Sequence, residues 1–336
     1  MSIDLDLFGL SVNQTKILFS IDKYLVEVDI NDSGQNQKKL KREWLNEWEK
    51  GIIAYLNSLD NSIVSLYGLY DIHEQVKFEK ENNNRLTWYY LVLLEATLFS
   101  AYSPIDENIK KYKSLRFKNH LDILKKFVAA ESIINESYID SITDTYSYAI
   151  KEIAGEKRLV GKLLPAIALA TVVGALCFSF AGPIAVALVG SHFAGLYGAA
   201  LTNACLALLG GGALATGGAG MAGGTAVIVG GGSILGFTAG DKLGKALISS
   251  PQFILHDSVK FYTAFICIYM GVDYDKKAAS KILGLYQEKI SELKNYCEMN
   301  IDDSMLKKDI KKIKKSISYM ENIYSSCEDY YIHQMR

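Results

Sequence analysis

Between Leu163 and Gly240 the chain runs for 78 residues without an aspartate, glutamate, lysine or arginine. A neutral stretch of that length has to be covered, either by protein or by lipid, because water gives it no charged group to solvate. Eighteen of the 27 glycines fall inside it, and between Leu208 and Gly232 glycine takes eleven of 25 positions. Three readings compete for such a segment: a phosphate-cradling loop, a flexible linker, or a piece of chain made for hydrocarbon.

The linker reading fails on composition, since flexible linkers are glycine- and serine-rich and polar, whereas this block carries Leu, Ile, Val and Met throughout. The loop reading has a motif behind it. Gly218-Ala-Gly220-Met-Ala-Gly223 matches G-x-G-x-x-G, and Asp241 follows about twenty residues on. That motif works only between a β-strand and a helix, and it is preceded here by LLGGGALAT and followed by TAVIVGGG. Gly240 to Ala246 misses a P-loop by one residue of spacing, and Ala246 stands where a magnesium-binding hydroxyl is needed. A nucleotide-using enzyme built on Gly218–Gly223 is therefore kept as a second alternative, behind a soluble helical scaffold.

The hydrocarbon reading fits best. Residues 163–180 form one span ended by Gly182-Pro183, and residues 184–209 form a second. A third, TAVIVGGGSILGFTAG, is weaker, because each glycine costs a helix about 1 kcal/mol. Small residues four apart let membrane helices approach closely, which marks Gly210, Gly220, Gly224, Gly232 and Gly236 as candidate packing or pore positions. His192 and Asn203 are the block's strongly polar residues, placed either to face a pore or to satisfy a helix contact. Lys157, Arg158 and Lys162 precede the block, and Lys242 and Lys245 follow it. Positive charge on both sides predicts an even number of crossings, two, with both ends cytoplasmic. The competing expectation is a buried core in a soluble assembly, and a third combines them: a block hidden in an oligomer until activation.

The flanks read as helical. Four prolines and 21 tyrosines stand in a Lys/Glu/Leu/Ile background, with a net charge of −1 and a mean hydropathy of +0.10. QKKLKREWLNEWEKGIIAYLNSL puts Leu40, Trp44, Trp48, Ile52 and Tyr55 on one core-facing stripe. LTWYYLVLLEATLFSAYSP reads as one long apolar helix, started by caps at Asn82–Asn84 and stopped at Ser103-Pro104. Glu95 at its middle marks it as core, not a membrane span. Beyond Pro251, Ile282, Tyr286, Ile290, Leu293 and Cys297 line one helix face, and Leu306, Ile310, Ile313, Ile317, Met320 and Tyr324 line another. These predict an antiparallel helical hairpin.

Two basic clusters are the candidate ligand sites. Lys110, Lys111, Lys113, Arg116 and Lys118 continue to Lys125 and Lys126, with Tyr112 and Phe117 interleaved. That is the pattern by which a groove follows a nucleic-acid backbone while bases stack on rings. Lys307, Lys308, Lys311, Lys312, Lys314 and Lys315 form the outer face of the second hairpin helix, with Lys307, Lys311 and Lys315 on one edge. Either cluster suits an oligonucleotide or an anionic lipid, and a plain solvated helix face is the alternative for each.

No catalytic constellation, cofactor motif or metal site is legible. The five histidines lack HExxH spacing, the five cysteines form no CxxC pair, and there is no GxSxG. Asp29 to Gly34 imitates a calcium loop, yet its twelfth position is Leu40 in place of a bidentate glutamate. The acidic start MSIDLDLFG has no positive n-region and apolar h-region, so no signal peptide is expected.

The order of a helical domain, a Gly/Ala-rich apolar block and a helical C-terminal part resembles the membrane effectors of bacterial anti-phage defence systems, the Hailong type among them. The run GGGALATGGAGMAGG is also similar in composition to the small interferon-inducible membrane proteins. The defence resemblance implies a channel-like homo-oligomer, such as a tetramer, acting in abortive infection. It further implies a nucleotidyltransferase partner whose single-stranded DNA oligomers hold the effector quiet. The expectation is thus an all-α, non-enzymatic effector with a helical domain at 1–155, a membrane block at 156–250 and a helical hairpin at 251–336. It would sit in the inner membrane with cytoplasmic domains, or in the cytoplasm before activation.

Overall fold

The computed structural model describes residues 10–60, 62–102, 109–112, 114–155, 248–301 and 306–336. The neutral block, and with it His192, Asn203, Gly210, Gly220, Gly224, Gly232 and Gly236, lies outside the described residues. Every element among the described residues is helical, as expected. None of these helices is long and apolar enough to cross a membrane. The expected transmembrane hairpin thus gains no support from them.

The chain divides into two compact units, whose described parts are Leu10–Asp140 and Ser141–Gly155 with Ile248–Arg336. The first boundary falls at Asp140, ahead of the expected 155. Beyond it Ile142, Tyr146, Ala149 and Ile150 are buried, and Tyr146 and Thr145 contact His256 and Cys267.

The first unit contains α1 (Val12–Asn31), α2 (Gln35–Leu59), α3 (Leu69–Asn82), α4 (Thr87–Leu98), the single turn α5 (Ile109–Tyr112) and α6 (His120–Glu131). Helix α1 starts on a capping box: Gln14 N–H donates to Ser11 Oγ at 3.2 Å, and Ser11 N–H donates to Gln14 Oε1 at 3.0 Å. Ile17, Ile21 and Leu25, four residues apart, join α4 residues Tyr89, Val92, Leu93 and Ala96 and α6 residues Leu124 and Phe127 in one core. The far end of α1, Val26 and Ile30, joins Trp44, Trp48, Ile52 and Leu56 of α2 in another. The α2 stripe is as the heptad-like spacing predicts, with Trp44 and Trp48 stacked at 5.9 Å; the side chain of Tyr55 lies outside the described residues. Full burial of each such side chain stabilises by about 1.5–3 kcal/mol.

Helix α4 is buried almost all round, which only a central helix can be. It is shorter than the sequence suggests, ending at Leu98 rather than at Ser103. Phe99 turns extended and packs on Trp48 and Phe117, and Tyr102 takes a left-handed backbone, φ 63°. The expected caps also serve elsewhere. Asn83 closes the end of α3, its Nδ2 donating to Glu79 O at 2.7 Å, while Leu86 begins α4 without a side-chain cap.

The second unit contains α7 (Tyr138–Tyr148) from Ser141 onward with a π turn at Ala149–Ile153, α8 (Pro251–Ala264) with a π segment at Phe265–Val272, α9 (Lys276–Met299) and α10 (Lys307–Met335). Helix α8 is the buried one here, packed along α10 and met by Tyr286 of α9. Phe261 stacks on Tyr286 at 4.1 Å, and Tyr286 Oη donates to Ser258 Oγ at 2.7 Å. The hairpin forms as expected. Lys294 pairs with Glu321 at 2.7 Å and Tyr331 reaches Lys276 O at 3.4 Å, so α9 and α10 run antiparallel. Ile282, Tyr286, Ile290, Leu293, Cys297, Ile310, Ile313, Ile317 and Met320 face inward.

The π segment depends on Gly271. A Cβ there would meet the carbonyl oxygen of Ile266 at 2.8 Å, five residues back. Backbone is the obstacle, so no rotamer change relieves it. Gly271→Ala is expected to destabilise the second unit by roughly 1–3 kcal/mol, read as a lower denaturant midpoint. Gly284→Ala on α9, where a Cβ meets nothing within 4 Å, should be neutral or stabilising.

Candidate functional site

The first basic cluster is organised by a buried acid. Asp29 sits in the last turn of α1 at 2% exposure, and Lys41 on α2 at 0%. Their side chains form a short ion pair, and Tyr102 Oη donates to the same carboxylate. Asp29 Oδ1 also accepts from the Lys118 N–H at 3.0 Å, and Lys41 Nζ donates to Arg116 O at 2.9 Å. Lys41 lies over the Tyr102 ring at 4.9 Å. A buried charge persists only when paired and hydrogen-bonded, and this one is. The pair therefore pins the backbone of 116–118 against α1 and α2. It also accounts for the acid that opens the imitation calcium loop, which is committed to a lysine.

The fate of the expected ligand residues follows from that anchoring. Tyr112 is 1% exposed and donates to Glu47 Oε2 at 2.8 Å; burial, then Glu47, pushes its hydroxyl up to about 12. Phe117 packs on Phe99, Tyr102 and His120. Neither ring is a platform for a base. Lys111 lies 3.3 Å from Glu43 and 3.5 Å from Glu47, and Lys125 pairs with Asp140. Arg116, Lys118 and Lys126 are exposed. The side chain of Lys110 and all of Lys113 lie outside the described residues. The rings that suggested stacking are core, and the basic groups that alternate with them point outward.

The second cluster is a continuous face. Lys307, Lys308, Lys311, Lys312, Lys314 and Lys315 are all exposed, and 3.6 residues per turn spreads them over an arc of about 160°. Asp309 is the acid among them, 3.3 Å from Lys312. Lys315 lies over Tyr319 at 5.2 Å.

Other polar groups are internal. Glu79 accepts from three side-chain amides among the described residues: Asn13 Nδ2 at 2.7 Å, Gln14 Nε2 at 2.9 Å and Asn83 Nδ2 at 3.0 Å. Asp22, on the inward face of α1, has an Oδ1 with no hydrogen-bond partner among the described residues. Burial, with Glu95 nearby, lifts its carboxyl well above the usual carboxylate range. Asp22 and Asp29 stand seven apart on the stripe of Leu18 and Leu25, and that spacing was a sequence signal for buried acids. Cys267, Cys297 and Cys327 are buried thiols raised by burial, hence poor nucleophiles. No group of three or more metal-ligating side chains occurs among the described residues. Compared with protein-family models, curated proteins and solved structures, the chain finds no match.

Lys41→Met should cost about 3–5 kcal/mol by leaving Asp29 buried without its partner, and Asp29→Asn with Lys41→Met should recover part of that loss; chemical denaturation of the single and double variants measures it. Burial pushes His120 down to about 4 and His256 to about 3, both from 6.5. The unfolded chain therefore takes up protons that the fold refuses, and stability falls as pH drops below 6.5 toward the folded values. Inside that window each histidine should contribute a slope of about 1.4 kcal/mol per pH unit, and His120→Gln should flatten part of it.

Proposed function

We propose that the chain is a membrane-permeabilising effector that works as a homo-oligomer. In this reading the neutral block 163–240 enters the bilayer and the helical units restrain it. The observation that carries the reading is the 78-residue absence of charge, combined with glycines at four-residue spacing and lysines or arginine at both flanks. The resemblance in layout to anti-phage defence effectors supports a role in abortive infection. A restraining ligand acts only through its preference for the resting state. A short polyanion, such as an oligonucleotide, suits the segment Lys110–Lys118. With Tyr112 and Phe117 internal, that segment would hold phosphates and would not read bases, so binding would weaken steeply with salt.

Expression of the chain in cells carrying a membrane-potential dye tests the reading. Wild type is expected to depolarise, and Leu206→Arg with Ile228→Arg to abolish the effect, since each arginine at bilayer depth costs about 2.5–3.5 kcal/mol. Depolarisation by the double variant equal to wild type would remove the insertion account and leave a soluble helical scaffold with an apolar core.

A further inference from the structure

The turn that closes helix α9 joins two surface features that are seldom adjacent. Helix α9 buries Cys297 at 4% exposure, and two residues later it exposes Met299 at 86%. Met299 is the most exposed large hydrophobic residue among the described ones, and Ile301, at 56%, stands beside it. The last residues of α9 are held by hydrogen bonds. Asn300 Nδ2 donates to Tyr296 O at 2.8 Å, and Ile301 N–H reaches Glu298 O at 3.4 Å. Both apolar side chains therefore project from the closed end of α9, at one corner of the hairpin.

The lysine face starts just beyond that corner. Six lysines against Asp309 give Lys307–Lys315 a net charge of +5, and the sum stays at +2 when Glu298, Asp302 and Asp303 are added. The antiparallel pairing that sets Lys294 against Glu321 and Lys276 against Tyr331 brings the end of α9 alongside the first turns of α10. Lysines in the first turns of a helix oppose its own dipole, whose N-terminal end is already positive. The sequence thus keeps Lys307 and Lys308 in a first turn where the helix dipole disfavours cations, close in the chain to two apolar side chains that stand exposed.

From this juxtaposition we infer that the α9–α10 corner is a docking surface for an anionic bilayer: Met299 and Ile301 enter the acyl boundary while the lysines meet lipid phosphates. Apolar insertion together with a basic face is the chemistry of interfacial membrane binding. A nucleic acid would satisfy the lysines but leave Met299 and Ile301 in water. The inference concerns a different surface from the neutral block and stands whether or not that block inserts.

Vesicle flotation of the full chain tests it, with vesicles of phosphatidylcholine alone and of phosphatidylcholine with about a third phosphatidylglycerol. The experiment is run on the wild-type block and on the Leu206→Arg, Ile228→Arg background, so that binding through the block is separated from binding through the corner. In both, anionic vesicles should be bound at least about tenfold more tightly than neutral ones, and raising salt from about 0.1 to 0.5 M should weaken the preference. Met299→Ser with Ile301→Ser should lower anionic-vesicle binding about tenfold while leaving retention of a single-stranded oligonucleotide unchanged. Lys308→Glu with Lys311→Glu and Lys315→Glu should remove the preference for anionic lipid. These positions are exposed, so unchanged thermal unfolding serves as the folding control. The inference is overturned if the serine variant binds anionic vesicles like its parent, or if the preference for anionic lipid vanishes on the charged-block background. Oligonucleotide binding by the lysines without vesicle binding overturns it as well. Failure of the pore reading alone would appear as unchanged depolarisation with the corner's lipid preference intact.

Discussion

The ion pair between Asp29 and Lys41 ties together four separate segments of the first unit. It joins α1 to α2, recruits the hydroxyl of Tyr102 and holds the backbone of Arg116 and Lys118. A buried pair of this kind adds little net stability, because desolvating two charges offsets most of their attraction. Its contribution is to the choice of arrangement. An alternative packing of α1 would leave a bare carboxylate or ammonium inside the core. The left-handed backbone of Tyr102 and the early end of α4 both serve this geometry, since together they deliver the phenol to the acid.

Glu79 repeats the same logic without a cation. Three side-chain amides, from Asn13, Gln14 and Asn83, surround its carboxylate and tie the start of α1 to the end of α3. Helix α1 therefore carries buried carboxylate contacts near both ends, with the apolar stripe of Ile17, Ile21 and Leu25 between them. Only one register along its neighbours satisfies all of these at once. Asp22 stands apart from these anchors, since its burial beside Glu95 favours the protonated acid.

What was legible in the sequence was periodicity. The stripes of α2, α9 and α10 stood at helical spacing, and most residues named from that spacing face inward, with Leu40, Leu306 and Tyr324 only half-buried and the Tyr55 side chain outside the described residues. Helix ends were less legible because they depend on partners far along the chain. Phe99 leaves α4 to reach Trp48 and Phe117, and Asn83 serves the helix before it rather than the one after. The first basic cluster shows the same limit at a candidate site. Alternation of rings and cations reads equally as a stacking groove or as a half-buried strap, and a buried acid 89 residues earlier in the chain, Asp29 bound to the Lys118 N–H, decides for the strap. The hairpin corner was missed for a different reason: a methionine and an isoleucine near a helix end are unremarkable until their exposure is measured.

Helix α10 has one more property. Its first nine residues hold six lysines, whereas Ser316–Met335 holds three acids, Glu321, Glu328 and Asp329, and no lysine or arginine. At 1.5 Å per residue its 29 residues extend for about 43 Å. Side-chain charge and peptide dipoles share the same polarity along that length, so they add. The helix is a long electric lever, and a uniform field or a charged plane would exert a torque on it, turning the lysine end toward negative potential.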